Sequence, residues 1–237
     1  MTRSTFLALL FIVLFPILAS AEIDSLPGKY LSLGSKKAGI CFGNSRVYNG
    51  FRFNLMNKQV KILNGFDFTL LDLDEDDNKA SNGISIGVLC KIQAQNNGLS
   101  IGGLFNGAQR ENGIMLALAM GGGNRLNGIG MMGIMMIDTV NGLAISALSL
   151  SNIHGSEGAP KNVVNGIALS LFWADIGEVR GIAVAASNES VVHKGLAIGG
   201  INKTSRLKGV QLGLYNIALN NPRGFRRLPF INMHFGK

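Results

Sequence analysis

Along most of this chain, apolar and small residues alternate behind a recurring Asn-Gly pair. The pair stands at 49–50, 64–65, 82–83, 97–98, 112–113, 127–128, 141–142 and 165–166, and the slot then reads Arg180-Gly181, Lys194-Gly195 and Lys208-Gly209. From Gly83 the steps between glycines are 15, 15, 15, 14, 24, 15, 14 and 14 residues. With the glycine as position zero, position +1 is Ile84, Leu99, Ile114, Ile129, Leu143, Ile167, Ile182, Leu196 and Val210. Position +3 is Ile86, Ile101, Leu116, Met131, Ile145, Leu169, Val184, Ile198 and Leu212. Residues two apart share one face of a strand, so each unit opens with a short β-strand carrying an apolar row. A fixed short period predicts stacked units, each burying its apolar side against its neighbours.

Positions +2 and +4 hold Gly, Ala, Ser or Met in nearly every unit from Gly83 on, and none is charged. A solvated strand face would carry Lys, Glu or Thr. This smooth face is therefore either covered by another sheet or partner, or lines a tightly packed interior. The second half of each unit is more polar, as in Lys91–Asn96 and Asn202–Leu207, and reads as a turn with a second strand or loop.

The expected architecture is all-β: a β-solenoid of about a dozen coils of 14–15 residues. Equivalent asparagines stack naturally in such coils, whereas a meander would place them alternately at opposite ends. Glycine in the slot supplies a positive φ or a close backbone approach. The alternative is an outer-membrane β-barrel with one strand per unit, since Asn-Gly is also a strong hairpin dipeptide. Against it, alternation lasts only five to seven residues per unit, and one Trp and three Tyr are too few for two aromatic girdles.

The ends depart from the repeat. Met1-Thr2-Arg3, an apolar run from Phe6 to Leu18 and Ala19-Ser20-Ala21 form the pattern of a secretory signal peptide cut after Ala21. Residues 22–48 are expected to be an N-terminal cap and irregular first coil, 49–217 the repeat domain and 218–237 a closing segment. Two units are longer: the step from Gly65 to Gly83 carries Asp72–Asn78, and that from Gly142 to Gly166 carries Asn152–Lys161.

The unit Lys208-Gly209-Val210-Gln211-Leu212-Gly213-Leu214-Tyr215-Asn216 is the sharpest copy. It and its sisters resemble the bacterial exported surface-repeat family, strings of Asn-Gly-Leu-x-Ile-Gly-Leu units behind a signal peptide. A Leu-Pro closing segment like Leu228-Pro229-Phe230 is also found there. The resemblance covers roughly residues 82–235. This chain departs from the pattern in having Gln at +2 only at Gln211, and the trailing Asn only at Asn188, Asn202 and Asn216. The resemblance implies an exported surface or envelope protein and carries over no catalytic residue.

Charge narrows the partners. The chain has 22 Lys+Arg against 14 Asp+Glu, a net of +8; removing residues 1–21, which hold only Arg3, leaves 21 against 14, or +7. That balance suits anionic lipid headgroups or acidic glycans. Export makes nucleic acid an unsuitable target. A surface partner, a glycan or an envelope component is expected, with self-association through the Gly/Ala/Ser face as a further option.

Candidate chemistry is sparse. Asp72, Asp74 and Asp76 alternate and Asn78 follows, the ligand spacing of a calcium loop, although the turn glycine and the distal Glu are missing. This is the one metal candidate, and no other cofactor is expected. His154, His193 and His234 stand in unrelated contexts, and there is no zinc-type pair. Cys41 and Cys90 are open to a disulfide in an oxidising compartment or to burial as free thiols. The methionines at 115, 120, 131, 132, 135 and 136 are expected to fill the core. Polysaccharide-cleaving solenoids use paired carboxylates on a sheet face. Here that face is small and uncharged, so a non-enzymatic protein is expected.

Overall fold

The structure, a computed structural model, describes residues 30–73, 78–151 and 162–236. The signal-peptide segment and the insertion at 152–161 lie outside the described residues. The remainder is a β-solenoid of about ten turns. Its strands, in chain order, are β1 (Tyr30–Ser35), β2 (Ala38–Gly43), β3 (Val47–Met56), β4 (Ile62–Leu71), β5 (Ala80–Gly102), β6 (Phe105–Ala117), β7 (Met120–Ser151), β8 (Val163–Ser170), β9 (Trp173–Val184), β10 (Ser187–Ala218) and β11 (Arg227–His234). They form one 11-stranded sheet in sequential order.

Pairing from β2 to β10 is parallel and keeps the repeat register. Asn49 faces Asn64, Gly50 faces Gly65 and Phe51 faces Phe66; Asn97 faces Asn112 and Gly98 faces Gly113. Across the longest step Asn141 still faces Asn165, so the register of the stack is kept there. The barrel alternative fails here, because a meander joined by hairpins would pair neighbours antiparallel. Among the described residues, antiparallel pairing occurs only at the two ends, between β1 and β2 and between β10 and β11.

The repeat glycine works within a continuous strand rather than in a turn. At Gly98 φ is +136°, and a Cβ placed there would lie 2.1 Å from the carbonyl oxygen of Gly83. Both a left-handed backbone and a close approach between stacked chains exclude any other residue. The bends lie elsewhere, where two successive residues are both exposed: Val88–Leu89 after the glycine, and Gln109–Arg110 or Asn124–Arg125 before it. At +4 the chain is about to fold back. A Cβ on Gly102 would meet the Phe105 carbonyl oxygen at 2.1 Å, which explains the small residues in that row.

Alternation therefore puts +2 and +4 inside. Ser85, Ser100, Met115, Ala144, Ala168, Ala183 and Ala197 are all buried. The chain itself covers the smooth face, so that face is closed to self-association. The apolar rows at +1 and +3 point outward, against the expectation that each unit buries them. Of the six methionines, Met115, Met120, Met132 and Met135 fill the core, whereas Met131 is exposed on the outer face.

Candidate functional site: an apolar outer face

The outward rows run the length of the stack. In row +1, Phe51, Ile84, Ile114, Ile129, Ile167 and Ile182 are exposed, as are Phe53, Phe68, Met131, Ile198 and Leu212 in row +3. The rows extend one coil further N-terminal than the Asn-Gly pattern, through Ile40 and Phe42, since Gly39 stacks on Gly50. Eleven steps of ~4.8 Å, from the Gly39 coil to the Gly209 coil, make this face roughly 50 Å long, and four extended residues make it roughly 13 Å wide. Such an area exceeds the few hundred Å² of contiguous apolar surface that a soluble monomer ordinarily shows.

The face changes character along its length. At the N-terminal end it is aromatic: Phe42 stacks on Phe53 at 5.6 Å between centroids, and Phe66 lies 6.0 Å from both Phe51 and Phe53. Phe53 also meets Phe68 at 6.3 Å. Further along it is aliphatic and concave. A groove of about 950 Å³ runs across the coils, its wall formed in row +3 by Ile101, Leu116, Met131, Ile145, Leu169 and Val184. Backbone amides within the face are paired in the parallel ladder, so it offers side-chain contact and no donors.

One border of this face is a file of amides. Asn64 Nδ2 donates to Asn49 Oδ1 at 2.6 Å, and Asn82, Asn97, Asn112, Asn127, Asn141 and Asn165 each donate to the preceding asparagine at 2.7–2.8 Å. Stacking at one coil height per residue is what makes the asparagine slot favourable: each side chain is both donor and acceptor. The file ends where Arg180, Lys194 and Lys208 take over the slot.

The interior holds chemistry of its own. Arg52 and Asp67 occupy position +2 in adjacent coils and pair at 2.8 Å with both side chains buried. Lys91 Nζ lies 2.8 Å from Asp67 Oδ2 and 2.8 Å from Asp72 Oδ2, and Lys79 closes the row on Asp72 Oδ1. Burial alone would raise both carboxyls. Lys91 with Arg52 at Asp67, and Lys91 with Lys79 at Asp72, outweigh it and hold both below the ordinary carboxylate range. Burial opposes the charge on Lys91 in the same way, and Asp72 and Asp67 overcome it to raise its pKa.

Of the calcium candidates, Asp72 is thus turned inward and engaged by two ammonium groups, while Asn78 is exposed on the surface. Asp74 and Asp76 lie outside the described residues. Among the described residues no cluster of three or more metal-ligating groups forms. Cys41 and Cys90 are buried free thiols. His193 is buried, and burial lowers its pKa against a backbone hydrogen bond to Leu196. His234 Nδ1 contacts Asn221 Oδ1 at 2.6 Å. His154 lies outside the described residues.

One further group stands apart. Burial pushes the Glu111 carboxyl up to about 8, against the hydrogen bond that Asn96 Nδ2 donates to its Oε1 at 2.6 Å. At neutral pH it is protonated. A charge-bearing residue at position −2 replaces the Leu126, Val140 and Val164 of later coils.

No helix among the described residues is long and apolar enough to cross a membrane. No protein-family profile, curated protein or solved structure matches this chain.

Proposed function

We propose that this is an exported, non-enzymatic repeat protein of the bacterial envelope or surface, built to present a long apolar sheet face to another apolar surface. The observation that carries the reading is the outward orientation of rows +1 and +3. Keeping so many Ile, Leu, Met and Phe side chains in water is unfavourable by ~25 cal/mol per Å² of apolar area, so covering the face is a strong driving force for association. Export rests on the signal-peptide pattern of residues 1–21. The non-enzymatic part is supported by the carboxylates: Asp67, Asp72 and Glu111 are buried, and Glu178 and Glu189 are tied to Arg180, Lys194 and Lys203.

The test uses the full chain and a variant carrying Ile114→Lys, Ile129→Lys and Ile167→Lys, three exposed positions of one row. Bacteria expressing each are fractionated and treated with a membrane-impermeant amine label. The reading requires an N-terminus at Glu22, surface labelling of the parent protein, and loss of the variant to the medium with its circular dichroism unchanged. Retention of both proteins in the cytosol would overturn export. Equal retention at the surface would overturn the role of the apolar face.

A further inference from the structure

A second outward feature lies across the glycine slot from the apolar face. Position −3 of two adjacent coils holds Arg110 and Arg125, which are register partners in the parallel ladder and so sit ~4.8 Å apart along the stack. Both are exposed, and neither makes an ion pair or hydrogen bond among the described residues. Two like charges stacked at that spacing repel one another. They border a polar groove of about 340 Å³ whose other lining groups are Gln95, Gln109, Asn124, Thr139 and Ala94, with no carboxylate among them. Glu111, next to Arg110 in sequence, is turned inward and takes a hydrogen bond from Asn96, and Asp138, which follows Asn124 in the next coil, pairs with neither arginine.

The C-terminal coils solve the same problem differently. There Glu178 occupies position −3 and takes hydrogen bonds from Arg180 Nε at 2.9 Å and Lys194 Nζ at 2.8 Å. Glu189 likewise holds Lys203. Arg180, Lys194 and Lys203 thus have a counter-charge within the chain, whereas the Arg110–Arg125 pair leaves its counter-charge to come from outside.

We infer that the groove around Arg110 and Arg125 binds a sulfate or phosphate ester borne on a carbohydrate. Two stacked guanidinium forks offer parallel N–H donors that match the oxygens of one tetrahedral oxyanion between them. Lysines at the same places would supply charge without that planar geometry. The groove's remaining side chains are amides and a hydroxyl, which exchange hydrogen bonds with sugar hydroxyls. Ala94 is its one apolar residue, so it offers nothing to an acyl chain and no ring to a nucleobase. The site is separate from the apolar face, and its failure leaves the proposed role of that face untouched.

The test is titration of the purified full chain with a heparin tetrasaccharide, its desulfated counterpart, inorganic phosphate, and phosphatidylglycerol vesicles, followed calorimetrically at two salt concentrations. The proteins are the parent, Arg110→Gln, Arg125→Gln, the double variant, and Arg206→Gln, an exposed arginine at position −3 of a distant coil that removes the same charge. The expected result is saturable binding of the sulfated tetrasaccharide, tenfold or more weaker in each single Arg110 or Arg125 variant and lost in the double. Arg206→Gln should bind within twofold of the parent, and desulfation should abolish binding. Inorganic phosphate should compete with the tetrasaccharide. Equal weakening by Arg206→Gln would reduce the effect to net charge and overturn the site. So would absence of binding to the tetrasaccharide, or binding to the vesicles alone.

Discussion

The N-terminal and middle coils wear the same exterior over opposite interiors. From Gly50 to Gly98 the lumen holds Arg52, Asp67, Asp72, Lys79 and Lys91 in one row of alternating charge. From Gly113 to Gly181 it holds Met115, Leu126, Met132, Met135, Ile137, Val140, Leu150 and Ile176 in one apolar cluster. Outside, both regions carry the apolar rows, and the asparagine file runs from one into the other as far as Asn165. A globular domain ordinarily has an apolar interior throughout and a mixed surface. This chain repeats its surface and varies its core, which is what a selective role for the surface would demand.

The largest effect should come from cutting the charged interior. Asp67→Asn leaves Arg52 and Lys91 buried without their shared partner and should lower stability by about 3–5 kcal/mol, the cost typical of orphaning a buried charge. Urea unfolding would give the magnitude. Amide exchange would show whether the loss stays N-terminal to Gly98; uniform exchange along the chain would erase the distinction between the regions.

Next in size is the apolar interior. Leu126→Ala removes a side chain that is fully buried and should lower stability by about 2–4 kcal/mol. Its amide-exchange footprint should centre on the coils from Gly113 to Gly142, complementary to that of Asp67→Asn.

The pH dependence sharpens the same contrast. Asp67 and Asp72 have folded pKa values below the ordinary 3.8, so their contribution is present above that value and is lost as pH falls through the lower folded values. Glu111 behaves oppositely. Its folded pKa of about 8 exceeds the ordinary 4.5, so its contribution is full below 4.5 and disappears as pH rises toward and through 8. Glu111→Gln keeps the size and the contact to Asn96 but cannot ionise. It should exceed the parent in stability by about 2 kcal/mol at pH 9, with water penetration holding the gain below the full ~1.4 kcal/mol per pKa unit. A thermal melt that separates the two proteins equally at pH 5 and pH 9 would refute a buried neutral carboxyl.

The smallest effect should be on the shared exterior. Ile129→Thr replaces an exposed, β-compatible residue with another and should change stability by less than about 0.5 kcal/mol. A fall in Tm of more than a few degrees would mean that the outer row supports the fold itself.

Much of this was readable beforehand. The period, the parallel stacking of like residues and the in–out alternation all follow from spacing and pattern. The direction of the apolar rows did not, because alternation states that two faces differ and leaves open which one is inside. That choice depends on the width of the lumen, and the width is set by chain crossings such as Gly102 against Phe105. Arg52 and Asp67 were also readable in principle, two residues after Gly50 and Gly65. Their charge departs from the uncharged, mostly small residues that hold positions +2 and +4 from Gly83 on, so the pattern does not mark them as inward. Asp72 resembled a solvated acidic run, since its partners Lys79 and Lys91 become neighbours only once the coils are stacked. Gly39 lies 11 residues before Gly50, outside the 14–15 period, and follows Ala38 where later units have asparagine, so the repeat pattern does not reach it.

Sequential stacking also gives the molecule a mechanical character. Among the described residues each coil pairs with the coil before and the coil after, so force applied at the chain ends meets a series of similar links. Releasing one coil of 15 residues frees about 50 Å of contour. The link between Gly142 and Gly166 frees 24 residues, about 80 Å, and would mark its own place in an otherwise even extension record.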